Sequence, residues 1–512
     1  MSLPILEIAQ VMAVESEMIA RGAALEILIE RAVLGCSAWL KKNYPIASFQ
    51  TVGVLVGSGH NGADALGIAR QLLDEGRAVT VFLSAAEDAL KPATFQALQV
   101  FKKQNGRVHF VKSEEFTAAK VSSTPLWAGQ SFWVDGLQGI GLNRPLAGLQ
   151  KSIVECVQFQ KKPIVAIDIP SGLHGNFGHF RQPDSTCIVA TQTLALGCLK
   201  PAHVLDTCIE ALGKVHFIPI GFDEIIPGLS PFPAQALVAD DLATMLKNSK
   251  RRPASHKFKN GRLLIVAGSE KYPGAAVMTC MGAGVSGAGM IHALVPAEAR
   301  QAILNHVPEV IFESKLPDLT AFDAIVLGPG WVPADEKIFD SIIKLLSKNK
   351  KCFAVLDAGV FDLLAIHFSN GNTLNERSVI TPHAGEFARL FPDIYADLSN
   401  GKINSIQAAQ QAAQTCKATV FAKSARTCIA SPDGSADVIL ESSPLLAHAG
   451  QGDVLAGLLG GLLARTRQTK SAAGLAALLQ SQTAVQFSAQ CPAALTLPPA
   501  ELVRQLQRLR LR

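Results

Sequence analysis

The sequence predicts an α/β protein of two domains, each a parallel sheet with helices on both faces. Three observations predict it. Short, continuously apolar runs alternate with helix-like segments along the chain. The runs tend to end in glycine, aspartate or another turn-forming residue. The alternation breaks once, at a proline-rich stretch near the middle, and then begins again. Strands that are apolar throughout are buried on both faces, as in a parallel sheet.

In order, residues 1–48 read as helical. Apolar positions recur there at three- and four-residue spacing through Leu25, Leu28, Ile29, Ala32, Val33 and Cys36. Thr51 to Val56 is a buried strand, followed by a glycine-rich turn and a helix from Asp64 to Glu75. Ala78 to Leu83 and Phe132 to Val134 are strands, Leu146 to Phe159 is a helix, Ile164 to Ile167 is a strand, and Ile188-Val189-Ala190 begins another. Ile226 to Gln235 carries three prolines and a glycine and reads as a linker. A polar, basic stretch from Lys247 to Asn260 follows. The second series has strands at Leu263 to Gly268, Ala324 to Leu327, Phe353 to Leu356, Val379-Ile380 and Thr419 to Phe421. Helices intervene, among them Ile338 to Lys348 and Ile403 to Lys417. Domains at 1–228 and 236–508 are expected.

Composition narrows the function classes. The 512 residues exceed one ordinary core. With 48% hydrophobic and 17% charged residues, disorder is not expected. The formal charge of +5 is mild, and the densest basic cluster, Lys250-Arg251-Arg252, reads as a solvated loop, so nucleic acid is not expected as the main partner. The start of the chain carries early acidic residues and lacks the pattern of a secretory signal. No uninterrupted apolar run is long enough to span a membrane. The ten cysteines show no CxxC pair, which points to buried thiols in a reducing compartment. A cytoplasmic protein is expected.

Ligands of such sheets bind beyond the carboxyl ends of the strands. In the first half these ends carry Gly57-Ser58-Gly59-His60-Asn61-Gly62-Ala63-Asp64, then Asp135-Gly136-Leu137-Gln138-Gly139-Ile140-Gly141-Leu142-Asn143-Arg144-Pro145, then Asp168-Ile169-Pro170-Ser171-Gly172. Glycines before a helix expose N–H groups to an anion, although a tight turn capped by Asp64 explains the first loop equally well. The order of the three loops resembles the NAD(P)H-hydrate epimerases, whose pattern runs GxGNNGGDG, DxLFGxGL, DIPSGL, over about Met12 to Phe222. The resemblance implies a Rossmann-like three-layer α/β/α sandwich. It places a potassium ion on Asn61, Asp135 and Ser171, oxygen donors suited to a hard cation. It places a substrate loop on Gly139, Ile140, Gly141, Leu142, Asn143, Arg144 and Pro145, and the acid/base aspartate on Asp168. Lys200, ending Thr191 to Lys200, is a further catalytic candidate, with a plain surface lysine as the other reading. The chain departs from the pattern at His60, Ala63, Ala65, Leu137-Gln138 and His174.

In the second half the strand ends carry Gly268-Ser269 and Tyr272-Pro273-Gly274-Ala275-Ala276, then Gly328-Pro329-Gly330, Asp357-Ala358-Gly359, Thr381-Pro382-His383-Ala384-Gly385-Glu386 and Lys423-Ser424-Ala425-Arg426-Thr427. The sharpest element is Gly450-Gln451-Gly452-Asp453-Val454-Leu455-Ala456-Gly457. Glycines there expose N–H groups to a transferring phosphoryl group, and an aspartate at the helix start can accept a proton from an attacking hydroxyl. YPGAA, GPG, TPHxGE and GxGDVLAG resemble the ribokinase-like NAD(P)H-hydrate dehydratases over about Leu237 to Leu506. The resemblance implies a ribokinase-like α/β/α domain with Asp453 catalytic. It implies that Ala275, Gly330 and His383 contact the hydrate. Lys423, Ser424, Ala425, Arg426, Thr427 and Gly452 would contact ADP or ATP with Mg2+. Ser424 and Gln451 depart from the usual glycine and threonine or serine in loops expected to face the nucleotide.

Together these features predict repair of hydrated NADH and NADPH: epimerisation of the two hydrates and nucleotide-dependent dehydration of one. The substrates NADHX, NADPHX and ADP or ATP, no membrane partner, and a homo-oligomer are expected. The donor nucleotide stays open. The alternative is a vitamin-precursor kinase of the same fold, with the first domain a binding scaffold.

Overall fold

The computed structural model describes residues 2–116, 125–182, 184–226, 234–251, 253–349 and 351–509. The chain divides into two units, Pro4–Phe232 and Pro233–Arg512, with residues 1–3 grouped with the second. Most of the expected linker, 227–233, lies outside the described residues, as does Arg252. Gln235, expected in the linker, sits instead in a strand.

The N-terminal unit opens with helices α1 (Ile8–Ala20) and α2 (Leu25–Asn43). The strands of its seven-stranded sheet are β1 (Thr51–Val56), β2 (Ala78–Leu83), β3 (Arg107–Phe110), β4 (Phe132–Gly136), β5 (Ile164–Ile167), β6 (Gln192–Leu196) and β7 (Lys214–Ile218). All pair in parallel, in the order β7-β6-β5-β4-β1-β2-β3. The order reverses between β1 and β4, so a crevice opens at their carboxyl ends, where Asn61 and Asp135 lie. Helix α3 (His60–Asp74) follows β1, α4 (Pro92–Lys103) follows β2, and α5 (Gly148–Phe159) follows β4.

Two expectations in this unit are corrected. Ile188-Val189-Ala190 is not strand. Ile188 N–H donates to Ser171 O (2.8 Å) and Ala190 N–H to Ala211 O (2.8 Å), so this backbone serves the site loop, and the strand starts at Gln192. Helix α3 begins at His60 rather than Asp64, because the glycine-rich turn is its first turn, with Gly59 at the cap position. Asp64 is therefore no cap. It lies buried on the second turn.

The C-terminal unit has strands β8 (Ala234–Leu237), β9 (Arg262–Val266), β10 (Met290–Leu294), β11 (Ile311–Phe312), β12 (Ala324–Leu327), β13 (Phe353–Leu356), β14 (Ser378–Ile380), β15 (Thr419–Ala422), β16 (Cys428–Ala430) and β17 (Ala436–Ile439). Their order is β8-β17-β16-β15-β14-β13-β12-β9-β10-β11. Pairing is parallel except where β16 runs antiparallel to β15 and β17. Here too the order reverses, between β9 and β12. The helices that matter for the site are α6 (Pro273–Gly284), α7 (Ala384–Leu390), α8 (Gln451–Thr466), α9 (Thr469–Gln490) and α10 (Pro499–Leu506).

Helix α8 is almost wholly buried because leucine, alanine and glycine supply every side of it. It lies against α6 with backbone nearly on backbone. A Cβ on Gly457 would stand 1.9 Å from Thr279 O, and one on Gly282 would stand 2.1 Å from Val454 O. Neither obstacle is a side chain that can rotate away. Gly457→Ala is therefore expected to destabilise this unit by about 1–3 kcal/mol or more through overpacking, read as a lowered calorimetric midpoint. An unchanged midpoint would show that the two helices can separate freely.

Candidate active sites

In the N-terminal unit, the ends of β1, β4 and β5 bring Asn61, Asp135 and Ser171 together. Asp135 is fully buried. Its carboxylate accepts from Ser171 Oγ (2.6 Å), Ser171 N–H (2.8 Å) and Leu137 N–H (3.2 Å). Asn61 Nδ2 donates to Gln138 O at 2.9 Å, and Ser171 Oγ accepts from Gln138 N–H at 2.9 Å. Burial pushes the Asp135 carboxyl up to about 6, although these hydrogen bonds pull it down. A buried carboxylate with oxygen-bearing neighbours and, among the described residues, no cationic partner is a set that a hard cation fits. Gly139 closes over Asn61, where a Cβ would come within 3.2 Å of Asn61 Cβ. From there the loop to Pro145 is irregular, with Gly141, Asn143 and Arg144 exposed.

Asp168 follows β5 in the left-handed backbone region, at φ 61°. A non-glycine residue there is uncommon and marks functional or strained positions. Its Oδ1 accepts from Lys200 Nζ at 2.5 Å and from Leu196 N–H at 3.1 Å. Lys200 is 1% exposed, so the surface-lysine reading is corrected: Nζ is buried and also donates to Leu196 O at 2.8 Å. Burial works against its charge, but Asp168 outweighs that and the Lys200 pKa is raised. Imidazole His203 braces the pair, with Nε2 2.6 Å from Asp168 O and Nδ1 accepting from Lys200 N–H at 2.9 Å. Asp64 and Glu15 stand near it. Burial first, then Asp168 and Glu15, hold Asp64 well above the usual carboxylate range. Sequence reasoning missed His203 and Glu15, which stand in none of the strand-end loops, and read Asp64, which stands in the first of them, only as a cap.

In the C-terminal unit, β9 and β12 carry Ala275 and Gly330 to the crevice. A Cβ on Gly330 would meet Ala275 Cβ at 2.5 Å. A cleft of about 310 Å³ is lined in part by Gly268, Pro296, Lys315 and Trp331, and neither Ala275 nor Gly330 lines it. His383 precedes α7, and its Nδ1 accepts from Gly385 N–H (3.1 Å) and Glu386 N–H (3.3 Å). Nε2 then carries the proton when the ring is neutral, 3.4 Å from Glu386 Oε1. The ring itself is largely exposed.

Asp453 lies on the first turn of α8, after Gly450 at φ 90° and Gly452. Burial, then the charge of Asp357, push its carboxyl up to about 7 against the pull of Lys423. Lys423 does not simply line a nucleotide loop. Its Nζ is 2.8 Å from Asp357 Oδ1 and 3.8 Å from Glu386 Oε2. Ser424 and Ala425 are exposed beyond it, and Thr427 Oγ1 donates to Ser424 O at 3.1 Å. Asp357, Thr381 and Glu386 are the residues that sequence reasoning left out, although all three stand at strand ends within motifs already singled out.

Gln451 is corrected. Its side chain is turned into the protein, where Nε2 donates to Leu497 O at 2.6 Å and Gln480 Nε2 donates to Gln451 O at 3.1 Å. It ties the segment before α10 to α8 and does not face a nucleotide. Arg251, from the basic cluster, donates to Gly287 O at 2.9 Å.

Two polar clusters, each at the carboxyl ends of the parallel strands of its own sheet, define an α/β enzyme with two separate sites. The chain is 36% identical to the Bifunctional NAD(P)H-hydrate repair enzyme Nnr of Gloeobacter violaceus, over 91% of this chain and 89% of that one. It belongs to the family of bifunctional NAD(P)H-hydrate repair enzymes. Its relative in Synechocystis sp. is 32% identical over 89% of this chain and 85% of that one. Residues 263–508 match the family described as NAD(P)H-hydrate dehydratase, and residues 25–202 match YjeF-related protein N-terminus. Among solved structures, the ADP/ATP-dependent NAD(P)H-hydrate dehydratase from Bacillus subtilis, co-crystallised with ATP/Mg2+, is 27% identical at a TM-score of 0.45, covering 53% of this chain and 95% of that one. Among the described residues no helix is long and apolar enough to cross a membrane.

Proposed function

We propose that residues 236–508 dehydrate hydrated NADH or NADPH with Asp453 as the base, and that residues 1–228 interconvert the two hydrates at Asp168 and Lys200. The observation that carries this is the buried carboxylate of Asp453, held near neutrality on a glycine-opened helix start. A base works best with its pKa near the operating pH. Asp453 takes the proton of the hydroxyl on carbon 6 of the ring. The oxygen attacks the terminal phosphoryl group of the co-substrate, the magnesium complex of ADP or ATP, as the bond to the shortened nucleotide breaks. N–H groups at Gly452 face the charge that develops. The new phosphate leaves carbon 6 with its bonding electrons, driven by the ring nitrogen's lone pair. Loss of a proton from carbon 5 restores the dihydropyridine. Ala275, Gly330 and His383 hold the hydrate, and residues 423–427 hold the nucleotide.

At the other site the hydroxyl leaves carbon 6 as water and returns on the opposite face. Asp168, whose Oδ1 accepts from the Lys200 ammonium, gives the departing hydroxyl its proton from Oδ2 and takes one back from the returning water, while Gly139 to Pro145 cover the ring. Potassium at Asn61, Asp135 and Ser171, when bound, supplies the positive charge that the buried Asp135 lacks. Replacing potassium by choline is expected to slow interconversion of the hydrates, followed by chromatography, and to leave dehydration of the accepted hydrate unchanged. Equal interconversion in both salts would remove the ion from the reading. A cytoplasmic homo-oligomer completes the proposal.

Mixed hydrates incubated with ADP or ATP test the whole. Recovery of the reduced-nicotinamide absorbance with equimolar inorganic phosphate supports it. A stable phosphorylated product would instead favour a vitamin-precursor kinase.

A further inference from the structure

Three consecutive strand ends converge beneath the first turn of α8, and one residue at their centre has no part in the mechanism above. Asp357, after β13, is 2% exposed. Its Oδ1 accepts from Thr381 Oγ1 (2.6 Å), after β14, and from Lys423 Nζ (2.8 Å), after β15. Lys423 Nζ lies 3.6 Å from where a Cβ on Gly452 would stand, immediately under the turn that carries Asp453. Its ion pairs are with Asp357 and Glu386, not with Asp453.

We propose that Asp357 is a positioning residue for dehydration: it holds the Lys423 ammonium under Gly452, facing the phosphoryl group, and keeps it from pairing with Asp453. The proposal rests on Asp453 being the base. The arrangement solves a conflict between two needs. A transferring phosphoryl group needs a nearby cation. A base on the adjacent residue is weakened by the same cation, since an opposite charge within a few ångströms favours the ionised carboxylate. A carboxylate behind the lysine satisfies both, because the pair is nearly neutral toward Asp453 while the ammonium still presents its remaining protons upward. Thr381 fixes the carboxylate and Glu386 flanks the ammonium. The backbone at Ala358, at φ 48°, turns the chain immediately after Asp357.

Other charges around Asp453 do not compete. Helix α6 brings only uncharged side chains and the Cys280 thiol, which burial holds up at about 12. The stretch of α9 beside Gln451, around Gln480, is uncharged. Strands β9, β12 and β13 present apolar residues beneath α8. Helix α10 reaches Gly450 through Pro499, and its Glu501 and Arg504 pair with each other. His383 pairs with Glu386, and the His448 ring lies 2.8 Å from Ala449 O.

The test is the pH profile of kcat for hydrate rescue, with the full chain and saturating nucleotide. Asp357→Asn removes a negative charge and frees Lys423 toward Asp453, so the acid limb is expected to move down by about one pH unit, with kcat at neutral pH about tenfold lower. Lys423→Gln is expected to move the same limb up. A limb that stays in place in both variants, or moves the same way in both, overturns the proposal, because a merely structural pair would not shift it in opposite senses. Should either single variant fail to fold, the double variant decides. Removing the whole pair should leave the limb near its wild-type position with kcat at least tenfold lower, and a limb displaced by about one pH unit, or wild-type kcat, overturns the proposal. Asp453→Asn is the control: if it retains rescue, the base assignment itself fails. If it loses rescue while the limb stays fixed in the other variants, only the role of Asp357 fails.

Discussion

Asp453→Asn is expected to lower kcat for dehydration by about 10²–10⁴-fold, the usual contribution of a positioned general base, while nucleotide still binds. The variant keeps the shape of the side chain and loses only its capacity to take a proton. The same burial fixes the sign of two pH effects. Wild-type kcat should rise as pH climbs through about 7, where the carboxyl ionises. Native stability should move the other way. The folded state binds this proton more tightly than the unfolded chain, whose carboxyl has a pKa near 3.8. Stability therefore declines as pH rises from about 4 to about 7, since the ionised form is disfavoured by burial. Asp453→Asn carries no such charge, so it should melt higher than wild type at pH 8 and match it at pH 4. An inactive variant that also melts lower at pH 8 would mean that the carboxylate was holding the helix start together.

Lys200→Met is the second large effect. The ammonium is buried against Asp168, and deleting it leaves an unpaired carboxylate in a site that already holds Asp64 and Glu15. Breaking a buried pair from one side costs about 3–5 kcal/mol, so the N-terminal unit should lose that much stability at neutral pH, read by chemical denaturation. Interconversion of the hydrates should stop in the fraction that stays folded. Because the Lys200 pKa is raised, the difference from wild type should be full below 10.5, the unfolded value, and shrink as pH climbs through the higher folded value. A loss of stability independent of pH would point to packing of the lysine stem instead. The C-terminal unit should still dehydrate the accepted hydrate, which separates the two activities within one chain.

Much of this was legible in the sequence for a plain physical reason. Parallel strands buried on both faces are written as unbroken apolar runs, and Thr51 to Val56 or Ala324 to Leu327 cannot be read otherwise. The residues after each run fall at the carboxyl edge of the sheet, which is why Asn61, Asp135, Asp168 and His383 were within reach, while Asp453 was marked by the glycines that open α8. Three kinds of feature were not. Ile188-Val189-Ala190 looks like a strand, but its amides are taken by Ser171 and Ala211, partners far away in the chain. The depth of Lys200 depends on which carboxylate folds over it, and residue type argues for the surface. The turn of Gln451 into the protein depends on Leu497 and Gln480, which no local pattern connects to it. Asp357 shows the remaining gap. Its place at a strand end was plain, but its use depends on which cation it meets.

The contact between α6 and α8 sets how the dehydratase site can respond to its ligands. Carbonyl oxygens of one helix sit where side chains of the other would begin, at Gly282 and Gly457. Such an interface has no lubricating layer of methyl groups to slide on, so the wall bearing Ala275 and the wall bearing Asp453 travel as one block. Ser424, Ala425 and Tyr272, by contrast, are exposed. Catalytic geometry is in this way set during folding and not at the moment of binding.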